Sequence, residues 1–492
     1  IPKYTAIDIP FQQSNDFSAA HPFAASAIID IDNDGIEELF LGGGPGQSDA
    51  LLRYRDAAFD VIADTGGIKK SSASASFGAT VIDCDGDGRD DLLVSRSDGV
   101  WLHRNSGGSF STEKLALDIP ADTTPMSVAV ADLNRDGHFD LYVAGYIRLD
   151  LVEGQNIFNK KGYGGSSELF INKGDNTFDK ITEQAGLTYR HNTFMGIFVD
   201  VDKDGFEDLI VAHDTGQVRT WRNQGDGTFA NHPNPNSDEY SYPMGIGVGD
   251  YNNDGKVDFA FSNVGSTPPN FMVRGDLTDD QRSNWKWLLF ENRGGFEFGD
   301  SAAQAKIADY EFSWGMVLED LNLDGREDLI VAENYIGLPP HKIPFLRLPG
   351  RLMIQNTAGE FAAVGKEAGV VNKRYSITPI LADFNADGYP DIVHVNIAGR
   401  SQAFLSEGGD AGFLKVKLPN RVSSIAATVE VVLANGQTLS KPFVSGEGLC
   451  SDPSHVLIFG LSDQDATQVN VTYIDGRRET RTGRLRNEIV RF

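Results

Sequence analysis

Seven copies of one acidic decapeptide constrain this chain more than any other feature. They read DIDNDGIEEL from Asp30, DCDGDGRDDL from Asp83, DLNRDGHFDL from Asp132, DVDKDGFEDL from Asp200, DYNNDGKVDF from Asp250, DLNLDGREDL from Asp320 and DFNADGYPDI from Asp383. Glycine holds the sixth place in all seven, and successive copies lie 49 to 70 residues apart. Self-similarity on this scale marks a repeat architecture, in which each unit buries its apolar face against its neighbours.

A second pattern interleaves with the first. It is an apolar pair, a polar residue that is often Asn, a Gly-rich turn and then Phe, clearest in LFINKGDNTF (Leu169 to Phe178) and TWRNQGDGTF (Thr220 to Phe229). Flanking runs such as IFV and LIV favour strands, and Gly-Asp-Gly suits a hairpin turn. Each unit therefore predicts two hairpins, or four short antiparallel strands. Seven such units predict an all-β chain: a seven-bladed β-propeller over residues 1–410, followed by a small β-sandwich-like domain over residues 411–492. The N-terminal segment repeats the layout that precedes each inner strand. Residues 3–10 are thus expected to pair near residues 402–405 as the outer strand of the seventh blade, closing the ring and removing its edges.

The acidic spacing is Asp-x-Asp/Asn-x-Asp-Gly-x-x-Asp/Glu. Oxygen side chains at places one, three and five converge as the loop curls, glycine permits the sharp turn, place seven offers a backbone carbonyl and place nine closes the shell. Hard oxygen donors in this number suit Ca²⁺ rather than zinc or copper. An EF-hand needs a Glu at place twelve between two helices, whereas here a strand follows at once. The expected ligands are Asp30, Asp32, Asp34 and Glu38; Asp83, Asp85, Asp87 and Asp91; Asp132, Asn134, Asp136 and Asp140; Asp200, Asp202, Asp204 and Asp208; Asp250, Asn252, Asp254 and Asp258; Asp320, Asn322, Asp324 and Asp328; and Asp383, Asn385, Asp387 and Asp391. Up to seven structural calcium ions are expected. They would bring the formal charge of −27 to −13. A lone acidic turn needs only one or two of these acids for Asx hydrogen bonds, which does not account for seven full copies.

That acidity disfavours nucleic acid and anionic lipid and favours cations or basic partners. No run of eighteen apolar residues occurs, so no transmembrane helix is expected. The chain opens on Ile1, as expected of a mature chain whose targeting segment was removed. Cys84 and Cys450 are the only cysteines, which leaves either one long-range bridge or two free thiols.

With these motifs in view, the chain resembles the FG-GAP/VCBS-type repeat propellers. The phrase SSELFINKGDNTFDKITEQAGL is similar to the repeat unit of the cartilage acidic protein family. The C-terminal segment resembles the ASPIC/UnbV domain in Ala427 to Val431, Gly446 to Leu449, Phe459 to Leu461 and Val469 to Gly476. It departs from that pattern at Ala426, Leu449 and Tyr473-Ile474. The resemblance implies a calcium-binding protein that is secreted, periplasmic or on the cell surface and serves adhesion or protein and glycan binding. Some related propellers are enzymes on sugars, including a fungal aldosulose dehydratase, so fold alone leaves function open.

The long insertions 146–166, 264–285 and 335–350 follow the second strand of their units, on the face opposite the Asp loops. Long loops on one face of a repeat protein commonly carry its binding surface. Candidate ligand-face residues are His21, Tyr146, Arg190, His191, His213, Tyr242, Glu333 and Tyr375. Three functions stay open: a protein or glycan binder, a lyase- or dehydratase-type enzyme on a sugar, and a purely structural module. An enzyme needs a proton-transfer group within reach of a partner, whereas a binder needs aromatics and complementary polar groups. Met126, Met195, Met244 and Met316 share one repeat position and are read as core, not as a soft-metal ring. The tripeptide Arg274 to Asp276, which matches an integrin ligand, is a weak signal.

Overall fold

The computed structural model describes residues 1–14, 23–69, 73–151, 162–265, 277, 280–335, 348–397 and 399–492. Seven sheets follow one another around a ring. Blade 1 comprises Ser26–Ile29, Glu38–Leu41, Ala50–Arg55 and Ala58–Val61; blade 2, Ser76–Ile82, Asp91–Arg96, Gly99–Asn105 and Phe110–Lys114. Blade 3 comprises Thr123–Ala131, Asp140–Ile147, Glu168–Asn172 and Phe178–Lys180; blade 4, Thr193–Val199, Asp208–His213, Arg219–Asn223 and Phe229–His232. Blade 5 comprises Ile246–Gly249, Asp258–Phe261, Leu288–Asn292 and Phe298–Asp300; blade 6, Ser313–Glu319, Asp328–Glu333, Arg351–Gln355 and Phe361–Ala363. Blade 7 takes Ser376–Ala382, Asp391–Asn396 and Gln402–Ser406 from one end of the chain and Tyr4–Asp8 from the other.

The N-terminal strand therefore closes the seventh blade as the repeat layout predicts, with Tyr4 opposite Ser406 and Asp8 opposite Gln402. The inner strand of blade 1 packs against those of blades 2 and 7, completing the ring. Burial follows position. Every residue of Ser76–Ile82, an inner strand, is buried, whereas only Phe110 is buried in the outer strand Phe110–Lys114. An inner strand has neighbours on both faces and tolerates only apolar or small side chains. An outer strand keeps one face in water. Met126, Met195, Met244 and Met316 all lie in these cores.

Residues 412–491 add two sheets. One orders Val456–Ser462, Gly412–Lys417 and Glu488–Arg491; the other orders Thr438–Pro442, Thr428–Leu433, Ala466–Thr472 and Arg478–Leu485. Leu414, Val416, Val429, Val431, Phe459, Val469 and Val471 share the apolar layer between them.

This C-terminal module sits on the Asp-loop face of the ring and sends one loop down the central channel. Ser451 and Asp452 pair in parallel with Ser26 and Ala27 of blade 1. The Cys450 carbonyl accepts from the Ala79 N–H of blade 2, and the Cys450 thiol donates to the Phe194 carbonyl of blade 4. Gly448 bridges to Ile246 of blade 5. Glu447 accepts at 2.9 Å from Val248 N–H and at 3.1 Å from Leu318 N–H, on blades 5 and 6. Leu449 N–H donates to Thr378 Oγ1 of blade 7. The loop thus reaches inner strands of six blades and occupies donors and acceptors that the strands themselves leave unpaired. Beyond its tip, Phe23, Phe194 and Trp314, from blades 1, 4 and 6, meet across the axis with ring centroids 5.5 and 5.9 Å apart. Cys84 and Cys450 are both free: Cys84 lies on the second Asp loop and Cys450 lies inside the channel.

Candidate functional site

Each Asp loop is built by the same local chemistry. The first aspartate turns its carboxylate back onto the loop's own amides, as when Asp200 accepts from Asp204 N–H at 3.1 Å and from Gly205 N–H at 3.0 Å. Glycine at place six has φ between +81° and +91° in all seven loops, a region that side chains rarely enter. Place four is left-handed too, and in six loops it is not glycine: Asn33, Arg135, Lys203, Asn253, Leu323 and Ala386.

The acid at place nine ties the two hairpins of a blade together. One oxygen of Asp208 accepts from Val201 N–H inside the loop, and the other accepts at 2.8 Å from Asn223 N–H at the end of the third strand. Asp91 with Asn105, Asp140 with Asn172, Asp258 with Asn292, Asp328 with Gln355 and Asp391 with Ser406 repeat the second contact. That contact uses the backbone N–H; the polar side chain has its own task, accepting from the turn that follows, as Asn223 does from Gly225 N–H at 3.0 Å. It also reaches the neighbouring loop, since Asn105 donates to the Ile31 carbonyl, Asn292 to the Val201 carbonyl and Gln355 to the Tyr251 carbonyl.

In the three loops that carry four carboxylates, three acids each bring an oxygen within 4.8 Å of the others: Asp30, Asp32 and Asp34; Asp83, Asp85 and Asp91; Asp200, Asp202 and Asp208. Asp30 Oδ1 and Asp202 Oδ1 are buried and have no hydrogen-bond partner. Burial pushes the place-nine acids upward: Glu38, Asp91 and Asp140 to about 7, Asp208 and Asp391 to about 8, and Asp258 to about 9. Oxygen-only clusters that are anchored on a buried or half-buried acid, mutually repelling and incompletely hydrogen-bonded fit a hard divalent cation.

Cations of the protein already approach several loops. Arg53 pairs with Asp32 and Glu38, and Arg222 with Asp202 and Asp204. The C-terminal module adds Lys417 on Asp30 at 3.0 Å, Lys415 on Asp383, Arg421 beside Asp83 and Lys441 between Glu319 and Glu327. The charge of the Asp-loop face therefore contributes to seating the module.

On the opposite face the candidate residues divide. Tyr146 donates to Asp214 at 2.5 Å, and its ring lies 5.8 Å from that of Phe194. Burial lifts Asp214 to about 6. Beside this pair, the His191 and His213 rings lie 4.8 Å apart. His213 Nε2 meets the Tyr189 hydroxyl at 3.0 Å, and Tyr189 meets Tyr142 at 3.1 Å. Burial, with the nearby Arg219, lowers His191 to about 4, so it is neutral at physiological pH. Arg190 joins Asp122 at 2.5 Å and the Gly164 carbonyl at 2.8 Å.

The other candidates stand apart from this group. Glu333 on blade 6 is 1% exposed and pairs with Arg351 at 2.6 Å. Burial raises its carboxyl to about 7. Tyr242 packs on Trp285 with ring centroids 5.7 Å apart. Tyr375, with φ +60°, precedes the inner strand of blade 7. His21, most of the three long insertions and Arg274 to Asp276 lie outside the described residues. Sequence reasoning missed Asp214 and Tyr189, which lie beside His213 and His191 in the chain, and Tyr142 had no distinguishing signal, because only the packing of blade 3 on blade 4 brings it to Tyr189.

No helix among the described residues is long and apolar enough to cross a membrane. An FG-GAP-like repeat model matches residues 30–94, 83–143 and 200–261, and an ASPIC and UnbV model matches residues 419–491. Cartilage acidic protein 1 of Xenopus tropicalis is 22% identical over 513 residues, covering 98% of this chain and 75% of that protein. The Mus musculus protein of the same name is 23% identical over 500 residues, covering 93% and 71%. Among solved structures, the V. cholerae biofilm matrix protein Bap1 aligns with a TM-score of 0.44 at 11% identity, covering 93% of this chain and 100% of that one.

Proposed function

Taking the chain as an FG-GAP-repeat β-propeller with an ASPIC/UnbV segment, related to the cartilage acidic proteins, we propose that it is a calcium-stabilised extracellular or cell-surface module that binds a protein or glycan. The division of labour runs near residue 410. Residues 1–410 form the metal-loaded ring, and residues 411–492 form a cap that seats on its Asp-loop face.

The observation that carries the calcium reading is the repeated, partly buried oxygen cluster, with the buried atoms Asp30 Oδ1 and Asp202 Oδ1 lacking partners. Places one, three, five and nine would hold each ion. The ion would supply charge neutralisation and cross-link the two strands of the first hairpin. Since the cap covers much of the Asp-loop face, the ligand face falls to the other rim, around Arg190, His191 and the Tyr146–Asp214 pair.

Native mass spectrometry of the full chain in calcium tests the metal reading. Several bound calcium ions are expected, with one fewer in Asp202→Ala. A chain that holds none at millimolar calcium overturns it.

A further inference from the structure

The four-stranded sheet of the C-terminal module turns its polar face toward the fourth Asp loop, across a groove of about 780 Å³. Strand alternation builds that face. Val429, Val431, Val469 and Val471 point into the module's core, while Thr428, Glu430, Gln468, Asn470 and Thr472 are half-exposed between them. Register aligns them in rows: Glu430 lies opposite Asn470 and Asn470 opposite Thr480, while Thr428 lies opposite Thr472 and Thr472 opposite Arg478.

Two hydrogen bonds orient the centre of this array. Gln468 donates to Asn470 Oδ1 at 2.6 Å, and Thr480 donates to the same oxygen at 3.0 Å. The Asn470 oxygen is thereby occupied, which leaves its amide N–H₂ to face a ligand. Among the described residues, Glu430 and Arg478 form no ion pair. The facing wall carries both signs, Arg135 and Lys203 beside Asp200 and Asp204. Arg135 donates to the Gly205 carbonyl, Lys203 donates to the Gly255 carbonyl at 2.8 Å, and Asp204 is held by Arg222.

The geometry points to a second binding site here, and to a neutral oligosaccharide as its ligand. Sugar hydroxyls both donate and accept, and they come in adjacent pairs. A carboxylate acceptor beside an amide donor, on strands about 4.8 Å apart, matches such a pair. The lining sets Arg135, Lys203 and Arg478 against Asp200, Asp204, Glu430 and Asp475, so the two signs are interspersed and no cationic patch selects an anionic sugar. A protein partner would need an apolar anchor; the aromatic residues of the lining, Phe206 and Tyr473, are covered by Arg135 and Arg477 at 4.5 and 4.4 Å, and the sheet itself presents hydroxyls and amides. The volume falls within the range of small-ligand sites. The site is separate from the ligand face on the other rim and does not depend on it.

A glycan array carrying neutral, uronate-containing and sulfated oligosaccharides, probed with the full chain in calcium, tests the assignment. Retention on neutral glycans is expected. Titration calorimetry with the best neutral oligosaccharide should show at least a tenfold loss of affinity in Asn470→Ala and in Glu430→Gln, with melting unchanged in the latter. Arg190→Ala, on the opposite rim, should bind that sugar as the parent does. The assignment fails if no neutral glycan is retained, if only anionic glycans are, or if binding survives both groove substitutions. Binding lost only in Arg190→Ala places the sugar on the opposite rim, overturning the groove site and leaving the ligand-face reading intact.

Discussion

Glu447, on the loop that the C-terminal module sends into the ring, accepts a hydrogen bond at 2.9 Å from the backbone N–H of Val248 on the inner strand of blade 5. The same oxygen accepts from Leu318 N–H on blade 6 at 3.1 Å. Burial raises the Glu447 carboxyl to about 8, so at neutral pH it is largely the protonated acid, whose carbonyl oxygen still accepts both bonds. Asp452 plays a similar part for blade 2, accepting from Val81 N–H at 2.7 Å. Removing such an acceptor strands a buried donor, at a cost of about 1–3 kcal/mol each.

Glu447→Ala should therefore destabilise the protein by about 2–4 kcal/mol, while Glu447→Gln, which keeps the accepting oxygen, should stay within about 1 kcal/mol of the parent. Urea melts in excess calcium measure the difference. Equal loss in both variants would show that the channel contacts act through something other than this acceptor.

Calcium removal should both lower the melting temperature and change its pH dependence. Carboxyls in unfolded chains titrate near 4, whereas burial raises Asp91 to about 7, Asp208 to about 8 and Asp258 to about 9 in the folded protein. Between those values the folded state holds more protons, so stability in chelator falls as pH rises from about 4 to about 8. In calcium the slope should reverse, because the ion competes with those protons. Thermal melts across this range, in chelator and in millimolar calcium, should show opposite slopes.

Asn292→Ala removes a tie between blades 4 and 5, since the side chain donates to the Val201 carbonyl at 3.0 Å and accepts from Gly294 N–H at 2.9 Å. A loss of about 1–3 kcal/mol is expected, with hydrogen exchange accelerating on both sides of the blade 4–blade 5 seam. Protection confined to its parent level in blade 4 would refute the inter-blade role.

Deleting residues 1–8 should open the ring. Blade 7 then loses its outer strand, and Gln402–Ser406 becomes an unpaired edge. Size-exclusion chromatography should find the truncated chain associated or unfolded where the parent is monodisperse. A monodisperse truncated chain melting at the parent temperature would count against closure by this strand.

Much of the candidate metal site was legible in the chain. Asp200 to Asp208 announce their loop because its chemistry is local: carboxylates two residues apart, Asx bonds to nearby amides, and a glycine where φ is positive. The polar residue before each Gly-rich turn was visible as a pattern but not as a cause. Its reason emerges only when the Asn223 side chain accepts from Gly225 N–H in its own turn and the Asn292 side chain meets the next loop. The stretch Gly446 to Leu449 read as a turn within the C-terminal domain. Nothing in its residues announces that it runs down a channel built from positions as distant as Ser26.

By itself, then, the sequence determined the number of blades, the place of every Asp loop and the strand that closes the ring. Each of these is a short-range pattern, repeated or displaced along the chain, and short-range hydrogen bonding is enough to specify it. Tertiary structure alone decided that the C-terminal module caps the Asp-loop face, that its loop ties six blades together, and that Tyr146 of blade 3 meets Asp214 of blade 4. Those contacts join side chains from different units. They arise from ring closure and domain seating, which depend on where whole sheets pack and leave no period in the chain.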